Sequence, residues 1–545
     1  MKNLRQKSRR LTVALGVNGL LARCCSFEFV KRVAPLGFAA LLLFGHTAGA
    51  ANSGGLPATL LASVKKADAA YGSLPASIAT YNLAVRELCA AMELQEPRLF
   101  ASKLKELGVL FDPPKVGLPM RHVQVVEPSP ASNGAQVGVP MLIGYETKDA
   151  PLYPPEGLFV DVTAVYDRIR GQPRFSILYN GSYILLKRRI YPLASNHNAA
   201  GDYLKLRAKR FAASGFAGMI RPFSALRKPQ IYLLDPYDPH KIPLLMVHGL
   251  QSTPVGFAGL VNALRNDPEI RTKYQIWQFY YASGTPILLN AVELRDSLNE
   301  TLNALDPRNH NAATKRIVVL GHSMGGVISH TLVSSSQDLL WRSVFRVPPD
   351  RLKGDPDVIR ELERSLIFRR DPRVVRVVFM AAPHRGSPLA DSFVGFVGNS
   401  ITRLERMSER GYSQLAKENP EAMTPESAIF YRGRFSAVRT LSPKDSALIA
   451  LSELPIEVPY HSVIGQRYPG PKERGSDGVV PYWSSHLDGA ESELIVRSGH
   501  EVFTKPEAVR EIIRILRLEQ SLSTGSTRRH SASHRSNTPA TAITS

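Results

Sequence analysis

The stretch Arg316-Ile-Val-Val-Leu-Gly-His-Ser-Met-Gly-Gly326 constrains this chain more than any other. An unbroken apolar run is what a strand buried on both faces needs, and such strands occur in parallel sheets covered by helices on either side. The run leads into Gly321-His322-Ser323-Met324-Gly325, and a helix is expected to begin near Gly325. A Gly-x-Ser-x-Gly turn between strand and helix leaves its serine exposed on a sharp bend, and glycines two residues to either side relieve the crowding that side chains would meet there. Ser323 is therefore the candidate nucleophile. The Met324 backbone N–H, at the start of the helix, faces the position where negative charge would develop on a reacting oxygen.

The surrounding sequence fits an α/β fold with a mostly parallel sheet. From about residue 240 the chain reads strand, loop, helix, repeated. Strands are predicted at Ile242–Val247, Gln275–Tyr280, Arg316–Leu320, Val374–Met380, Tyr460–Gly465 and Glu493–Val496. Two intervals, about 335–372 and 386–458, are too long for plain crossovers and carry helix-like stretches. In the second, Phe393, Val394, Val397, Ile401 and Leu404 have the spacing of a helix that caps a pocket, or of a helical decoration with no gating role.

A serine on such a turn needs a base, an acid and a second oxyanion donor. Pro243-Leu-Leu-Met-Val-His-Gly-Leu-Gln-Ser252 ends a buried strand in His248-Gly249. Gly249 lets the backbone approach a substrate, the Leu250 N–H is the candidate second donor, and His248 is read as a positioning group. The acid and then the histidine follow the serine in chain order. Asp477 lies in Gly475-Ser-Asp-Gly-Val-Val-Pro481, and His500 in Arg497-Ser-Gly-His-Glu501, each beyond the carboxyl end of a predicted strand, where ligands bind in open α/β sheets. His486 precedes the last strand, only nine residues after Asp477, and His384 precedes the acid, so both rank below His500 as the base. Asp488 is the alternative acid.

Together Val-His-Gly (247–249), Gly-His-Ser-Met-Gly-Gly (321–326), Ala-Pro-His-Arg-Gly-Ser (382–387) and Ser-Asp-Gly-Val-Val-Pro (476–481), closing on Gly499-His500, resemble the lipase branch of the α/β-hydrolases, including bacterial triacylglycerol lipases and GPI-inositol deacylase-like proteins. The resemblance covers about 240–518. It implies an α/β-hydrolase fold with helical cap insertions, the triad Ser323, Asp477 and His500, and cleavage of carboxylic esters through an acyl-enzyme, with an ester or lipid as substrate and no cofactor. The Pro-His-Arg-Gly-Ser segment carries over as a landmark without a role. Calcium, which some such lipases bind, has no paired carboxylates to hold it at corresponding loops. The same triad serves amidases, thioesterases and acyltransferases, and a hydrolase fold also occurs as a non-catalytic scaffold.

The rest of the chain is read from composition and periodicity. The first 50 residues hold eight Lys/Arg against one acidic residue, then an apolar run Pro35–Phe44 and a small-x-small end at Ala48-Gly49-Ala50. This is the pattern of a cleaved signal peptide, and it predicts export to the periplasm or beyond. An earlier apolar stretch runs into Arg23-Cys24-Cys25, where Arg23 stands at a position that lipidation of Cys24 would require to be small. With the signal removed, Cys89 is the sole cysteine, which excludes an intramolecular disulfide. Residues 51–235 are predicted to form an accessory α+β region, helical over 56–107 and β-rich from about 115. After Gln520, twelve of the last 25 residues are Ser or Thr, so 519–545 is expected to be a disordered tail. The net charge of +21 is either a solvated, merely basic surface or one that favours anionic membrane surfaces by Coulomb attraction, while no cluster of basic residues interleaved with aromatics supports nucleic-acid binding. The residues carry no sign of oligomeric state.

Overall fold

The computed structural model describes residues 56–129, 135–213, 228–250, 252–390, 403–431, 437 and 439–533. The expected signal segment, with Cys24 and Cys25, lies outside the described residues. Three helices come first, Leu56–Ser73, Ile78–Glu93 and Pro97–Glu106, where periodicity predicts helix over 56–107. The second starts on Ser77, whose hydroxyl accepts the Thr80 N–H at 3.2 Å. It buries Tyr81, Val85, Leu88, Cys89 and Met92 along one face. Cys89 is free, and burial raises its thiol well above the usual range, so it packs as a small hydrophobe.

That face covers a five-stranded sheet of β1 (Leu110–Asp112), β2 (Met120–Val125), β3 (Val139–Tyr145), β4 (Leu158–Ile169) and β5 (Gln172–Tyr179), in the order β1-β5-β4-β3-β2. Met141 and Ile143 of β3 point into the helix-covered core, while Leu142 between them packs with Phe159 and Ala200 on the opposite face. A separate hairpin of β6 (Tyr183–Leu186) and β7 (Arg189–Pro192) follows, then a helix, Ala199–Ala213.

The larger sheet has seven strands: β8 (Gln230–Leu233), β9 (Ile242–Val247), β10 (Tyr274–Tyr280), β11 (Ile317–His322), β12 (Val374–Met380), β13 (Tyr460–Gly465) and β14 (Ser492–Val496). Their order is β14-β13-β12-β11-β9-β10-β8, and every pairing is parallel except that of β8 with β10. Alternate residues of one strand enter different cores. Leu245, Val247, Val319, Val377 and Phe379 face helices that include Ile287–Leu305 and Met324–Val333. Leu244, Met246, Val318, Leu320, Val378 and Met380 face the helices Ala258–Asn266 and Pro506–Ser533. Two covered faces explain why these strands read as unbroken apolar runs.

Three expectations need adjustment. Residues 230–233, at the end of the stretch read as accessory, are the antiparallel edge strand of the large sheet, and four residues are too few to show their alternation. The last helix runs to Ser533, so the expected disordered tail is helical through that residue. Ala508, Ile512, Ile515 and Leu516 dock its first half on the sheet, and propagation of a formed helix needs only one more hydrogen bond per residue. Of the expected cap helix, Phe393, Val394, Val397 and Ile401 lie outside the described residues; the helices Arg403–Glu418, Pro425–Tyr431 and Ser446–Glu453 follow in that insertion, and Leu339–Val344 and Pro356–Leu366 occupy the earlier one.

The described residues from Pro57 onward form one compact unit. A buried ion pair joins its two sheets. Arg265 donates to Asp235 at 2.8 Å and to the Leu234 carbonyl at 2.8 Å. Asp235 also accepts the Tyr179 hydroxyl of β5 at 3.2 Å and the Ile276 N–H of β10 at 3.1 Å. Asp235→Ala would leave the Arg265 charge buried without its partner, so a stability loss of about 3–5 kcal/mol is expected. A shift of the denaturant midpoint checks it, and an unchanged midpoint would show that the two sheets do not depend on this pair.

Candidate active site

β11 and β9 are parallel neighbours with Gly321 opposite Val247, which sets the turn after β11 beside the loop after β9. Ser323 sits on that turn with φ 55° and ψ −128°, a conformation that costs a non-glycine residue about 1–3 kcal/mol. Backbone bonds hold it there: the Ser323 N–H donates to the Met380 carbonyl and the Gly326 N–H to the Ser323 carbonyl, both at 2.9 Å. The glycines are needed for different reasons. A Cβ on Gly321 would lie 2.6 Å from the Gly326 Cα, within the turn itself. A Cβ on Gly325 would lie 2.2 Å and 2.3 Å from the Val247 and His248 carbonyl oxygens, so that glycine is dictated by the adjacent strand rather than by residue 321.

His500 and Asp477 reach the serine from the loops after β14 and β13. His500 Nε2 is 2.8 Å from Ser323 Oγ, and its Nδ1 is 2.7 Å from Asp477 Oδ2. An ionised carboxylate only accepts, so Nδ1 carries the proton and the Nε2 lone pair faces the serine hydroxyl. The other Asp477 oxygen accepts the Val479 and Val480 N–H groups, each at 2.7 Å. Asp477 is buried, whereas the His500 side chain keeps 21% of its surface exposed. Asp477 is thus screened from water while His500 remains accessible.

Two further histidines shape the site. His322 donates through Nε2 to the His500 carbonyl at 3.0 Å. Burial, and then the neighbouring His500, push its pKa down to about 3, so it is neutral and braces the histidine loop without adding charge. His248 is held by burial at about 4. Its Nδ1 donates to the Gly249 carbonyl at 3.0 Å, its ring stacks on Tyr281 at 4.2 Å, and the Tyr281 hydroxyl donates to the His248 carbonyl at 2.5 Å. The loop that carries Gly249 and Leu250 is fixed in this way against Ser323. A Cβ on Gly249 would come within 2.8 Å of the serine Cβ.

The competing residues lie elsewhere. His486 contacts Glu493, Asp488 and the Tyr482 hydroxyl in a surface cluster, and Asp488 has 94% of its side chain exposed. His384 is buried, packed edge-on to Phe379 and His330. Among the described residues no group of three or more His, Cys, Asp or Glu is arranged to hold a metal.

The segment 383–387, to which sequence reasoning attached no role, holds the acid loop. Ser387 Oγ donates to the Val479 carbonyl at 2.5 Å, and Val479 is the residue whose N–H bonds Asp477. Arg385 donates to the Trp483 and His486 carbonyls at 2.9 and 2.7 Å, and Ser484 Oγ returns a bond to the Gly386 carbonyl at 2.6 Å. The signal available in sequence was only the co-occurrence of the two motifs. Their contact spans about 92 residues of chain and is made by tertiary structure alone.

No family model and no curated protein sequence matches the chain. Among solved structures, it is similar to the mature lipase BlEst2 of Bacillus licheniformis, at 15% identity over 52% of this chain and 97% of that one, with a TM-score of 0.32. A metagenomic carboxyl esterase matches at 20% identity over 48% and 65% of the two chains, TM-score 0.26. Esterase B from Lactobacillus rhamnosis matches at 10% over 62% and 96%, TM-score 0.30. The fold and site described above stand on this chain's own sheet order and hydrogen bonds.

Ser387→Ala would remove the side-chain donor to the carbonyl of Val479, an exposed residue. A loss of about 0.5–1.5 kcal/mol in unfolding free energy is expected, measured by chemical denaturation; no loss would mean that water or another donor serves that carbonyl equally well.

Proposed function

We propose that this protein is an exported serine hydrolase that cleaves carboxylic esters, with an acyl or lipid ester as substrate. The observation that carries the reading is the unbroken line from Asp477 through His500 to Ser323, at 2.7 and 2.8 Å, on the loops after three strands of one sheet. Export rests on the basic-then-apolar N-terminal pattern ending at Ala50.

The chemistry follows from the proton positions. As Ser323 Oγ attacks the ester carbonyl carbon, His500 Nε2 takes the hydroxyl proton and Asp477 stabilises the imidazolium that forms. The carbonyl oxygen becomes an oxyanion, received by the Leu250 and Met324 N–H groups. Collapse of the tetrahedral intermediate breaks the bond to the alcohol oxygen, which leaves with the proton from His500. An acyl-Ser323 remains. Water then attacks it with His500 as base, and the acid is released as the serine regains its proton. The strained backbone at Ser323 suits this role, since it presents Oγ clear of the helix it precedes.

Turnover of p-nitrophenyl esters from short to long chains tests the reading. Ser323→Ala should abolish it, and Asp477→Asn should lower kcat by roughly 10⁴-fold through loss of the correct imidazole tautomer. A preference for long chains selects a lipase over a general esterase. Undiminished turnover in Ser323→Ala would overturn the assignment. Labelling of Ser323 by a fluorophosphonate without ester turnover would redirect it to amides, thioesters or acyl transfer, and silence in both assays would leave a non-catalytic scaffold.

A further inference from the structure

The β6–β7 hairpin carries a surface that the catalytic reading does not use. Its register places Leu185 directly opposite Ile190, and Ile184 opposite Tyr191. Opposite residues of an antiparallel pair share a face, and alternate residues change face. Leu186 and Tyr191, with Ile184 partly buried beside them, pack into the core beneath the five-stranded sheet. The other face holds Tyr183, Leu185 and Ile190, and these are 69%, 66% and 73% exposed. Three large apolar side chains side by side are an unusual use of water-facing surface on an otherwise charged protein.

The tip adds charge of one sign. Lys187, Arg188 and Arg189 follow in sequence, and Lys187 and Arg188 both have positive φ, 46° and 64°, as a two-residue turn matched to strand twist requires. Lys187 points back into the fold. Its ammonium donates to the carbonyls of Gly72 and Leu74 and lies 5.3 Å from the centre of the Tyr71 ring. The hairpin is therefore tied at its tip to the end of the first helix and is presented as a fixed element. Arg188 and Arg189 are exposed and form no ion pair among the described residues.

We propose that this hairpin docks the protein on an anionic lipid surface, with Tyr183, Leu185 and Ile190 entering the headgroup boundary and Arg188 and Arg189 against lipid phosphates. An apolar face bordered by Tyr and unpaired Arg is the composition that partitions into the interface of a negatively charged bilayer. Charge complementarity decides between occupants. In a twofold pairing of hairpins the same patch meets itself, so the unpaired arginines of both copies would be brought together. A nucleic acid would neutralise the arginines but leave the apolar face in water. The docking does not depend on ester cleavage, so Ser323→Ala protein must bind as the wild type does.

The test is cosedimentation of the full chain with vesicles of phosphatidylcholine alone and of phosphatidylcholine with phosphatidylglycerol, at low salt and at about 0.5 M salt. Tighter binding to the anionic vesicles is expected, weakening as salt rises. Arg188→Ser with Arg189→Ser should weaken it by about 25-fold, at roughly fivefold for each arginine near the surface. Leu185→Ser with Ile190→Ser should weaken it by at least about tenfold. Both pairs sit on exposed positions, and an unchanged circular dichroism melt shows that each variant folds. Absence of binding to anionic vesicles, or equal binding by wild type and both variants, would overturn the proposal. So would concentration-dependent dimerisation that Leu185→Ser with Ile190→Ser abolishes, because the occupant would then be a second copy.

Discussion

The contact between the turn after β11 and the backbone of β9 governs the rest of the site. There is no room for a side chain at Gly325 because the Val247 and His248 carbonyls already occupy it. This closeness lets one strand present Ser323 while its neighbour presents the Gly249-Leu250 backbone beside it. The strain at Ser323 is the consequence, about 1–3 kcal/mol held in place by bonds to the Met380 carbonyl and from the Gly326 N–H. A sheet buried on both faces can sustain that strain, since the strands around it have no freedom to shift apart.

His500 and Asp477 are placed by a different kind of order. They stand on loops, where side chains would otherwise be mobile. The loops are secured by polar contacts from elements far away in sequence: His322 bonds the His500 carbonyl, and Ser387, Arg385 and Ser484 clamp the segment around Asp477. Burial holds His322 and His248 well below the usual imidazole range, so neither adds charge beside the His500–Asp477 pair. Asp477 is the more buried of the two, and low water access strengthens any charge interaction it makes with His500.

The amino-terminal sheet is bound to the larger one through a largely buried ion pair, a contact rare inside proteins. Asp235 gathers donors from β5, β10 and the helix Ala258–Asn266, so the two sheets share one largely buried carboxylate. Outside that junction, the same amino-terminal half presents the β6–β7 hairpin, whose inner face is core, whose outer face is apolar and whose tip is basic. One half of the molecule thus holds the Ser323–His500–Asp477 line, and the other presents the exposed hairpin.

The strands of the large sheet were legible from residues alone. Ile242–Val247, Val374–Met380 and Tyr460–Gly465 were read with their observed limits, because burial on both faces leaves continuous apolar runs. The candidate serine, acid and histidine were legible from motif and chain order, since the turn after a buried strand restricts residue type at Gly321, Ser323 and Gly325. Other features were hidden because their cause is not local. Strand β8 is too short to show a period, and the helix to Ser533 persists through a polar tail because its first half is docked. The clamp from Ser387 to Val479 joins motifs remote in the chain. Sequence by itself determined the long strands of the large sheet and the turn that carries Ser323, since these follow from steric and burial rules acting over a few residues. Only the tertiary structure decided which loops meet, which histidines lose their charge, and which face of the hairpin is left to water, because each depends on neighbours supplied by distant segments.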